Sequence, residues 1–164
     1  MALHFSDQEF SNRKNNTIES MKKFGLDAIL IFRQESMYWL TGYDTFGYVF
    51  FQTLVMDQKG NMILLTRAPD LRQAQNTSNI KDIRIWVDKN NSDPTHELKN
   101  ILNELNLKGK NIGVEYEAYG MTGRSAMKLN ESLKNFCTLG DHSELITALR
   151  VVKSDEEITY VKKA

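Results

Sequence analysis

The sequence predicts a three-layer α/β/α domain around a mixed, mostly parallel sheet that carries one antiparallel strand. Short apolar runs alternate with segments whose apolar residues recur every three or four positions, the pattern of strands alternating with amphipathic helices. Two successive apolar runs are separated only by Asp57-Gln58-Lys59-Gly60-Asn61, whose turn-forming residues indicate a hairpin. Alternation favours parallel neighbours in the sheet, and the hairpin accounts for the antiparallel strand.

The amino-terminal segment predicts a helix followed by a buried strand. Ser6-Asp7-Gln8-Glu9 has the form of a capping box, in which the serine and glutamate side chains satisfy free amide groups of the first turn. Gly25 suits the left-handed residue after a last turn, so a helix is expected over residues 7–24. The apolar run at residues 28–32 predicts a central strand. Residues 36–39 predict a short helical turn capped by the serine at its start.

The middle of the chain predicts the hairpin, a short helix and an outer strand. The hairpin strands are expected at residues 49–56 and 62–66. Pro69 fits the first turn of a short helix over residues 68–76. Residues 83–87 alternate between apolar and polar side chains, as a half-buried strand does.

The last part of the chain continues the alternation. Asp93-Pro94 is a helix start, with a capping aspartate followed by a proline that loses no needed donor. Apolar residues follow at helical spacing at positions 98, 101, 102 and 105. The other predicted elements are strands at 111–115 and 136–140 and helices at 122–133, 143–149 and from 154 onwards.

Composition and charge argue against several classes of partner. The 41% of hydrophobic and 26% of charged residues are ordinary for a globular protein. The chain has 21 basic and 21 acidic residues, so no basic face for nucleic acid or an anionic membrane is indicated. No apolar run approaches the roughly 20 residues of a membrane helix, and the start resembles no signal peptide. With one cysteine, Cys137, the protein is expected to be cytoplasmic.

Motifs that carry catalysis or bind metal are missing from the sequence. There is no H-E-x-x-H, no paired-cysteine zinc spacing and no glycine-rich phosphate-binding loop. His4, His96 and His142 lie far apart along the chain. Neither a catalytic residue nor a metal ion or other cofactor is therefore expected in this chain.

Two short segments carry a family resemblance. Gly25-Leu26-Asp27-Ala28-Ile29-Leu30-Ile31 and Ser36-Met37-Tyr38-Trp39-Leu40-Thr41-Gly42-Tyr43 resemble the signature of the creatinase/prolidase amino-terminal domain. Leu149-Arg150-Val151-Val152-Lys153-Ser154-Asp155-Glu156-Glu157-Ile158 is similar to the junction between that domain and its catalytic half. The family includes creatinases, Xaa-Pro peptidases and ectoine-hydrolase-like enzymes. The motifs bracket nearly the whole chain, so the resemblance covers it almost completely.

The resemblance implies a fold and a parent activity. The expected fold is a ribonuclease-H-like α/β/α motif over residues 1–150, with residues 151–164 starting the junction into a catalytic half. The last helix stops without a cap, which predicts that the natural chain continues. The parent would cleave C–N bonds in Xaa-Pro dipeptides or creatine-like small amides. It would use two divalent metal ions (Mn, Zn or Co) held outside this chain, or the metal-free histidine chemistry of creatinases.

The resemblance also implies a homodimer in which this domain covers the neighbouring subunit's active site and its small peptide or amide substrate. The covering segment maps to Tyr43, Phe46 and Tyr48. Phe50 stands where creatinase has the arginine that meets the carboxylate of creatine, so a less anionic substrate, or a guanidinium from elsewhere such as Arg67, is expected. These rings also fit a second interpretation as core side chains, which we favour for Phe50 and its neighbour and hold equal for the other three.

Two further hypotheses remain open at this point. The chain could instead be a stand-alone α/β module that acts by protein contact or small-ligand binding. Asp27, Asp57 and Glu115 lie at the edges of predicted strands, and a ribonuclease-H-like fold could gather such carboxylates around magnesium ions. Solvated strand ends explain these three residues more simply, and the zero net charge argues against a nuclease.

Overall fold

The structure is a computed structural model that describes residues 3–164. Within these residues, helices and strands alternate around a six-stranded sheet. In chain order they are α1 (Asp7–Lys23), β1 (Ala28–Ile31), α2 (Gln34–Thr41), β2 (Thr53–Asp57), β3 (Met62–Arg67), α3 (Leu71–Thr77), β4 (Asp82–Trp86), α4 (Pro94–Glu104), β5 (Asn111–Val114), α5 (Gly123–Leu133), β6 (Thr138–Asp141), α6 (Glu144–Val151) and α7 (Asp155–Lys163). A single 3₁₀ turn, Ala68–Asp70, precedes α3.

The sheet has the predicted mixed topology. Its strand order is β4-β3-β2-β1-β5-β6. β2 runs antiparallel to both of its neighbours, β1 and β3. The pairs β1–β5, β3–β4 and β5–β6 are parallel. The prediction of a mostly parallel sheet with one antiparallel strand is therefore confirmed.

Helices cover both faces of the sheet, so the predicted three layers are present. Strand β1 shows the arrangement, because Leu30 joins the core beneath α4 and α5 while Ile29 and Ile31 join the core beneath α1, α2 and α6. All of β1 is buried, as expected for a central strand covered on both faces. Within residues 3–164, no helix combines the length and apolar character that crossing a membrane requires.

Local capping signals are confirmed at several helix ends. The Ser6 side chain accepts a hydrogen bond from the amide of Glu9, and Asp93 does the same for Thr95. Gly25 has φ of 66°, and the amide of Leu26 donates to the carbonyl of Met21, completing a left-handed cap after α1. Such signals involve residues a few positions apart, which explains why the sequence predicts them well.

Two predicted element boundaries are wrong. The hairpin strand β2 begins at Thr53 instead of residue 49, because residues 46–50 form a turn that leaves the sheet. Ser36 does not cap a helix; it lies inside α2, which has Arg33 at its cap position. The Ser36 hydroxyl instead donates to the buried carboxylate of Glu115, 2.7 Å away. Both errors arise at contacts between segments that are distant in sequence.

Candidate functional site

The connection between α2 and β2, residues 42–52, is called the aromatic loop here. Helix α2 ends at Gly42, whose φ of 79° favours glycine over other residues. A Cβ atom at this glycine would also lie 3.0 Å from the carbonyl oxygen of Thr77. The left-handed backbone at Gly42 therefore sets the direction in which the aromatic loop leaves α2.

A buried polar network supports the aromatic loop from inside. The hydroxyl of Tyr43 donates to Oε1 of Gln52 at 2.6 Å, and the same oxygen accepts a hydrogen bond from Thr66 on β3 at 2.9 Å. The amide of Gly47 donates to the hydroxyl of Thr45 at 2.9 Å. Buried side chains that satisfy one another in this way restrict a loop to few conformations.

For Tyr43, the structure decides between two interpretations that the sequence left equal, a covering residue and a core side chain, in favour of the core. It is fully buried, and burial raises the pKa of its hydroxyl. The interpretation as a covering residue placed it on an open loop, but the loop folds back over β3 and takes this ring into the interior. Tyr43 supports the surface without forming part of it.

Gly47 allows the loop to pack closely on the turn before α3. A Cβ atom at this position would lie 2.3 Å from Nε2 of Gln52 and 2.6 Å from Oδ1 of Asp70. Asp70 is itself buried and pairs with Nε of Arg67 at 3.0 Å. The close approach explains why a glycine stands at the tip of the loop.

The outer side of the loop presents aromatic rings to solvent. Phe46 is 87% exposed, Tyr48 42% and Phe50 43%. Phe50 is thus not the core residue we favoured, whereas Phe51 is buried in the core as expected. The guanidinium carbon of Arg67 lies 3.4 Å from the centre of the Phe50 ring, the distance of a cation–π contact. In the family resemblance, Phe50 stands where creatinase has an arginine, and Arg67 was offered as another source of a guanidinium. The structure places these two side chains in contact.

Sequence reasoning missed one member of this surface, Tyr119. It lies in the connection between β5 and α5, is largely exposed, and packs edge-to-face on Tyr48 with ring centres 5.9 Å apart. No periodicity or motif marks this residue in the sequence. The aromatic surface, defined as Phe46, Tyr48, Phe50 and Tyr119, therefore combines two distant segments of the chain.

The three acidic strand ends do not form one site. Glu115 follows β5 at the carboxyl end of β1, whereas Asp27 and Asp57 lie at the opposite end of β1. Asp57 organises the hairpin turn, with Oδ1 accepting from the amides of Lys59 and Asn61, both at 2.9 Å. Among residues 3–164, no group of three or more histidine, cysteine, aspartate or glutamate side chains is arranged to hold a metal ion.

Glu115 is also not a solvated strand end. Its side chain is fully buried, and Oε2 accepts hydrogen bonds from the amides of Phe32 at 3.1 Å and Arg33 at 2.9 Å. The third donor is Ser36, described above. Burial raises the pKa of the Glu115 carboxyl to about 7. This carboxyl therefore holds together β1, β5 and the start of α2, the helix that leads into the aromatic loop.

Comparison with known proteins identifies the family. Residues 13–152 match the model of the Creatinase/Prolidase N-terminal domain. The chain belongs to this family. The match covers the sheet, the aromatic loop and helix α6, so the creatinase/prolidase amino-terminal domain accounts for nearly all described elements.

Two curated relatives of this creatinase/prolidase amino-terminal domain are named as hydrolases, whereas a third, 24% identical over 99% of this chain and 17% of its own length, is named FACT complex subunit SPT16, from Candida glabrata. An uncharacterised hydrolase/peptidase from Sinorhizobium fredii is 28% identical over 99% of this chain and 43% of its own length. An ectoine hydrolase from Halomonas elongata is 24% identical over 100% of this chain and 43% of its own length. A prolidase from Thermococcus sibiricus has the same fold, with a TM-score of 0.78 and 19% identity over 97% of this chain and 41% of that one. The chain thus spans less than half the length of these relatives.

Helix α7 is tied to the rest of the structure by a buried arginine. Arg13 on α1 pairs with Glu9 at 2.8 Å and with Glu157 on α7 at 3.3 Å, and its Nη1 donates to the carbonyl of Trp39 at 2.8 Å. The indole of Trp39 donates to Glu157 at 3.1 Å. Because Trp39 lies on α2, helix α7 and the aromatic loop are both attached to α2.

A cleft lies between α2 and the turn from α6 to α7. Its volume is about 550 Å³, and its walls include Tyr38, Trp39, Arg150 and Lys153. The acidic side chains of Glu35, Asp44 and Glu157 line it as well, so the walls combine aromatic rings with charges of both signs, a lining that suits a small polar ligand. The cleft is the feature that agrees best with the alternative hypothesis of a stand-alone ligand-binding module.

Proposed function

We propose that this chain is the dimerisation and substrate-capping domain of a hydrolase that cleaves C–N bonds in Xaa-Pro dipeptides or creatine-like small amides, and that it has no catalytic residue of its own. In this proposal residues 1–150 form the capping domain and residues 151–164 begin the junction to a catalytic half. Membership of the family supports it, as do the hydrolase, peptidase and prolidase names of its relatives. The single thiol, Cys137, has a pKa raised to about 11 by burial and suits a reducing, cytoplasmic location.

The observation that carries the proposal is the aromatic surface on its rigid support. Exposed apolar side chains that lie together on a protein surface mark sites of contact with a partner or a ligand. Here the rings of Phe46 and Tyr48 are exposed, while the buried hydrogen bond between Tyr43 and Gln52 holds the base of the loop. A loop held at its base keeps the surface in one place when a second subunit or a substrate binds. It therefore suits a wall placed over a neighbouring active site.

The capping residues fall into two groups in this proposal. Phe46 and Tyr48 contact the substrate and the neighbouring subunit. Tyr43 supports the loop from inside, and Arg67, whose side chain is only 13% exposed, holds the ring of Phe50 in position. The aromatic rings would exclude water from the side of the substrate remote from the scissile bond, which raises the binding energy available for catalysis.

The hydrolytic step itself is assigned to the catalytic half. Water supplies a hydroxyl to the carbonyl carbon of a peptide, or to the amidino carbon of a creatine-like compound, and a proton to the leaving nitrogen, and no group of this chain takes part in that exchange. The two divalent metal ions (Mn, Zn or Co) implied by the family resemblance belong to that half as well. Because residues 3–164 offer no group of ligands for them, this proposal contains no metal-dependent step in this chain.

We expect this chain to form a homodimer that weakens when Tyr48 is replaced with serine. Loss of one ring from the contact should raise the dissociation constant about tenfold or more, the usual effect of removing about 1–3 kcal/mol of aromatic contact. Sedimentation equilibrium over a wide concentration range measures the change. Met127→Ser, at an exposed position on α5, is the matched control and should leave the dissociation constant unchanged. A chain that stays monomeric at high concentration would favour the stand-alone module.

In the hydrolase that carries this domain, Tyr48→Ala should lower kcat/KM by roughly tenfold to a hundredfold. The ring contributes contacts remote from the reacting atoms, so KM rises if these contacts bind ground and transition states equally, and kcat also falls if they hold the reactive pose. Steady-state kinetics on an Xaa-Pro dipeptide, corrected for the folded fraction, tests the effect. Parental kcat/KM per folded molecule, together with a large loss of stability, would show that Tyr48 has a packing role alone.

A further inference from the structure

The connection between β5 and α5 contacts the aromatic loop from the side. Tyr119 packs on Tyr48 with a ring-centre distance of 5.9 Å and an angle of 77° between the rings. This is the edge-to-face geometry that aromatic pairs prefer. Seventy-one positions separate the two residues in sequence, so the contact exists only in the folded protein.

The backbone next to Tyr119 also meets the loop. A Cβ atom at Gly120 would lie 2.5 Å from the carbonyl oxygen of Phe50 and 3.0 Å from that of Tyr48. Glycine therefore allows the connection to lie directly against the loop backbone. The two segments therefore approach each other through their backbones as well as through the rings of Tyr48 and Tyr119.

The connection itself is well anchored. Its far end is Met121, which is buried in the core beneath α4 and α5. The amide of Met121 donates to the carbonyl of Ala118 at 3.0 Å, and the hydroxyl of Tyr116 donates to Asn130 on α5 at 3.1 Å. The buried network holds the base of the aromatic loop, whereas its tip, residues 46–50, has less support: the amide of Phe50 donates to the carbonyl of Gly47 at 2.9 Å, and the amide of Gly47 donates to the hydroxyl of Thr45 at 2.9 Å. The anchored segment is therefore placed to hold the less supported one.

We infer that Tyr119 is a positioning residue for the aromatic loop, and that it sets the orientation in which Tyr48 is presented to a partner. The inference depends on the proposed function only for the identity of that partner, since the ordering of the loop is a property of the chain alone. Without the Tyr119 ring, the Tyr48 side chain loses its neighbour and residues 46–50 open more often. An aromatic pair of this kind is worth about twofold to tenfold in the equilibrium constant between the ordered and the open loop.

The test compares Tyr119→Ala, Tyr119→Phe and the control Met127→Ala, all in the complete chain. Amide hydrogen exchange, measured by mass spectrometry at a concentration where the chain is monomeric, reports the opening of residues 46–50. Tyr119→Ala should speed exchange there about twofold to tenfold, with the β-sheet unchanged. Tyr119→Phe keeps the ring and should exchange as the parent does, as should the control. In a Tyr48→Ala background, Tyr119→Ala should have no further effect, because its partner is gone.

Sedimentation of the same variants separates this inference from the proposed function. If Tyr119 acts by positioning, its alanine variant speeds exchange at residues 46–50, and the dimer weakens only by the factor by which the closed fraction of the loop falls, which is smaller than the change in exchange while the closed loop predominates. A weaker dimer with parental exchange at residues 46–50 would overturn the inference, because Tyr119 would then be a direct contact only. Parental exchange with a parental dimer would overturn it as well. A monomeric parent would contradict the homodimer of the proposed function, and the exchange result would still decide the inference.

Discussion

Replacing Arg13 with alanine should lower the free energy of unfolding by about 3–5 kcal/mol, the cost of removing one partner of a buried ion pair. Arg13 is only 2% exposed. Its loss leaves the carboxylates of Glu9 and Glu157 without a cation at sites where their side chains are only 10% and 14% exposed. The carbonyl of Trp39 also loses its donor. Urea unfolding followed by circular dichroism gives the free energy directly.

The exposed pair of Lys22 and Glu19 is the matched control for Arg13. The two pairs have the same length, 2.8 Å, but the side chains of the control are 52% and 62% exposed. Lys22→Ala should therefore cost less than about 1 kcal/mol. Adding Glu157→Gln to Arg13→Ala should recover part of the loss, since one of the stranded charges is removed. Equal costs for the arginine and lysine variants would contradict the role given to Arg13.

The carboxyl of Glu115 should make the protein less stable as pH rises from about 4.5 to about 7, the interval between its ordinary pKa and the raised one. Because the pKa is higher in the folded protein than in the unfolded chain, the folded state binds the proton more tightly throughout this interval. The stabilisation is complete below pH 4.5 and is lost as pH rises through 7. The difference corresponds to roughly 3 kcal/mol as an order of magnitude.

Glu115→Gln should remove this part of the pH dependence. The amide oxygen of glutamine can accept from Phe32 and Arg33, and its nitrogen can donate to the Ser36 hydroxyl, so the three contacts are kept without a charge. Free energies of unfolding measured at several pH values should then diverge between parent and variant as pH rises, with the variant gaining relative stability. Glu131→Gln, on the exposed face of α5, should parallel the parent. Parallel curves for all three proteins would disprove the contribution of Glu115.

The predictions for Arg13 and Glu115 concern the two ends of the same helix, α2. Glu115 fixes the start of α2 to the sheet, and Arg13 fixes its last turns to α1 and α7. Because α2 leads directly into the aromatic loop, loosening either end should disturb the loop more than distant surface changes do. Hydrogen exchange at residues 46–50 in these variants would measure that link.

Features that depend on neighbouring residues could be predicted from the sequence. The capping serines at 6 and 154, the glycine after α1 and the turn residues of the hairpin act within five or six positions, and all are present. The alternation of apolar runs predicted the three layers, and the hairpin predicted the antiparallel strand. The two motifs near the ends were sufficient for the family.

Features that depend on contacts between distant segments could not be predicted. Tyr43 and Glu115 are both polar residues beside a loop, and the sequence alone left burial undecided for Tyr43 and suggested solvent for Glu115. Their burial follows from β3 lying beneath the loop and from the start of α2 lying over the end of β5. No feature of the sequence marks Tyr119, because its importance comes only from the position of Tyr48.

The sequence by itself determined the fold class, the element order and the family of this protein. Periodicity and capping depend on nearby residues, and they show which side of a segment faces the core whatever distant segment packs there. The tertiary structure decided which polar groups are buried and which aromatic rings form the outer surface. The physical reason is that burying a carboxyl or a hydroxyl is tolerable only where donors or acceptors from another segment meet it. In this protein the partners of Glu115, Arg13 and Tyr43 include residues from other segments, and only the packing of those segments brings them together.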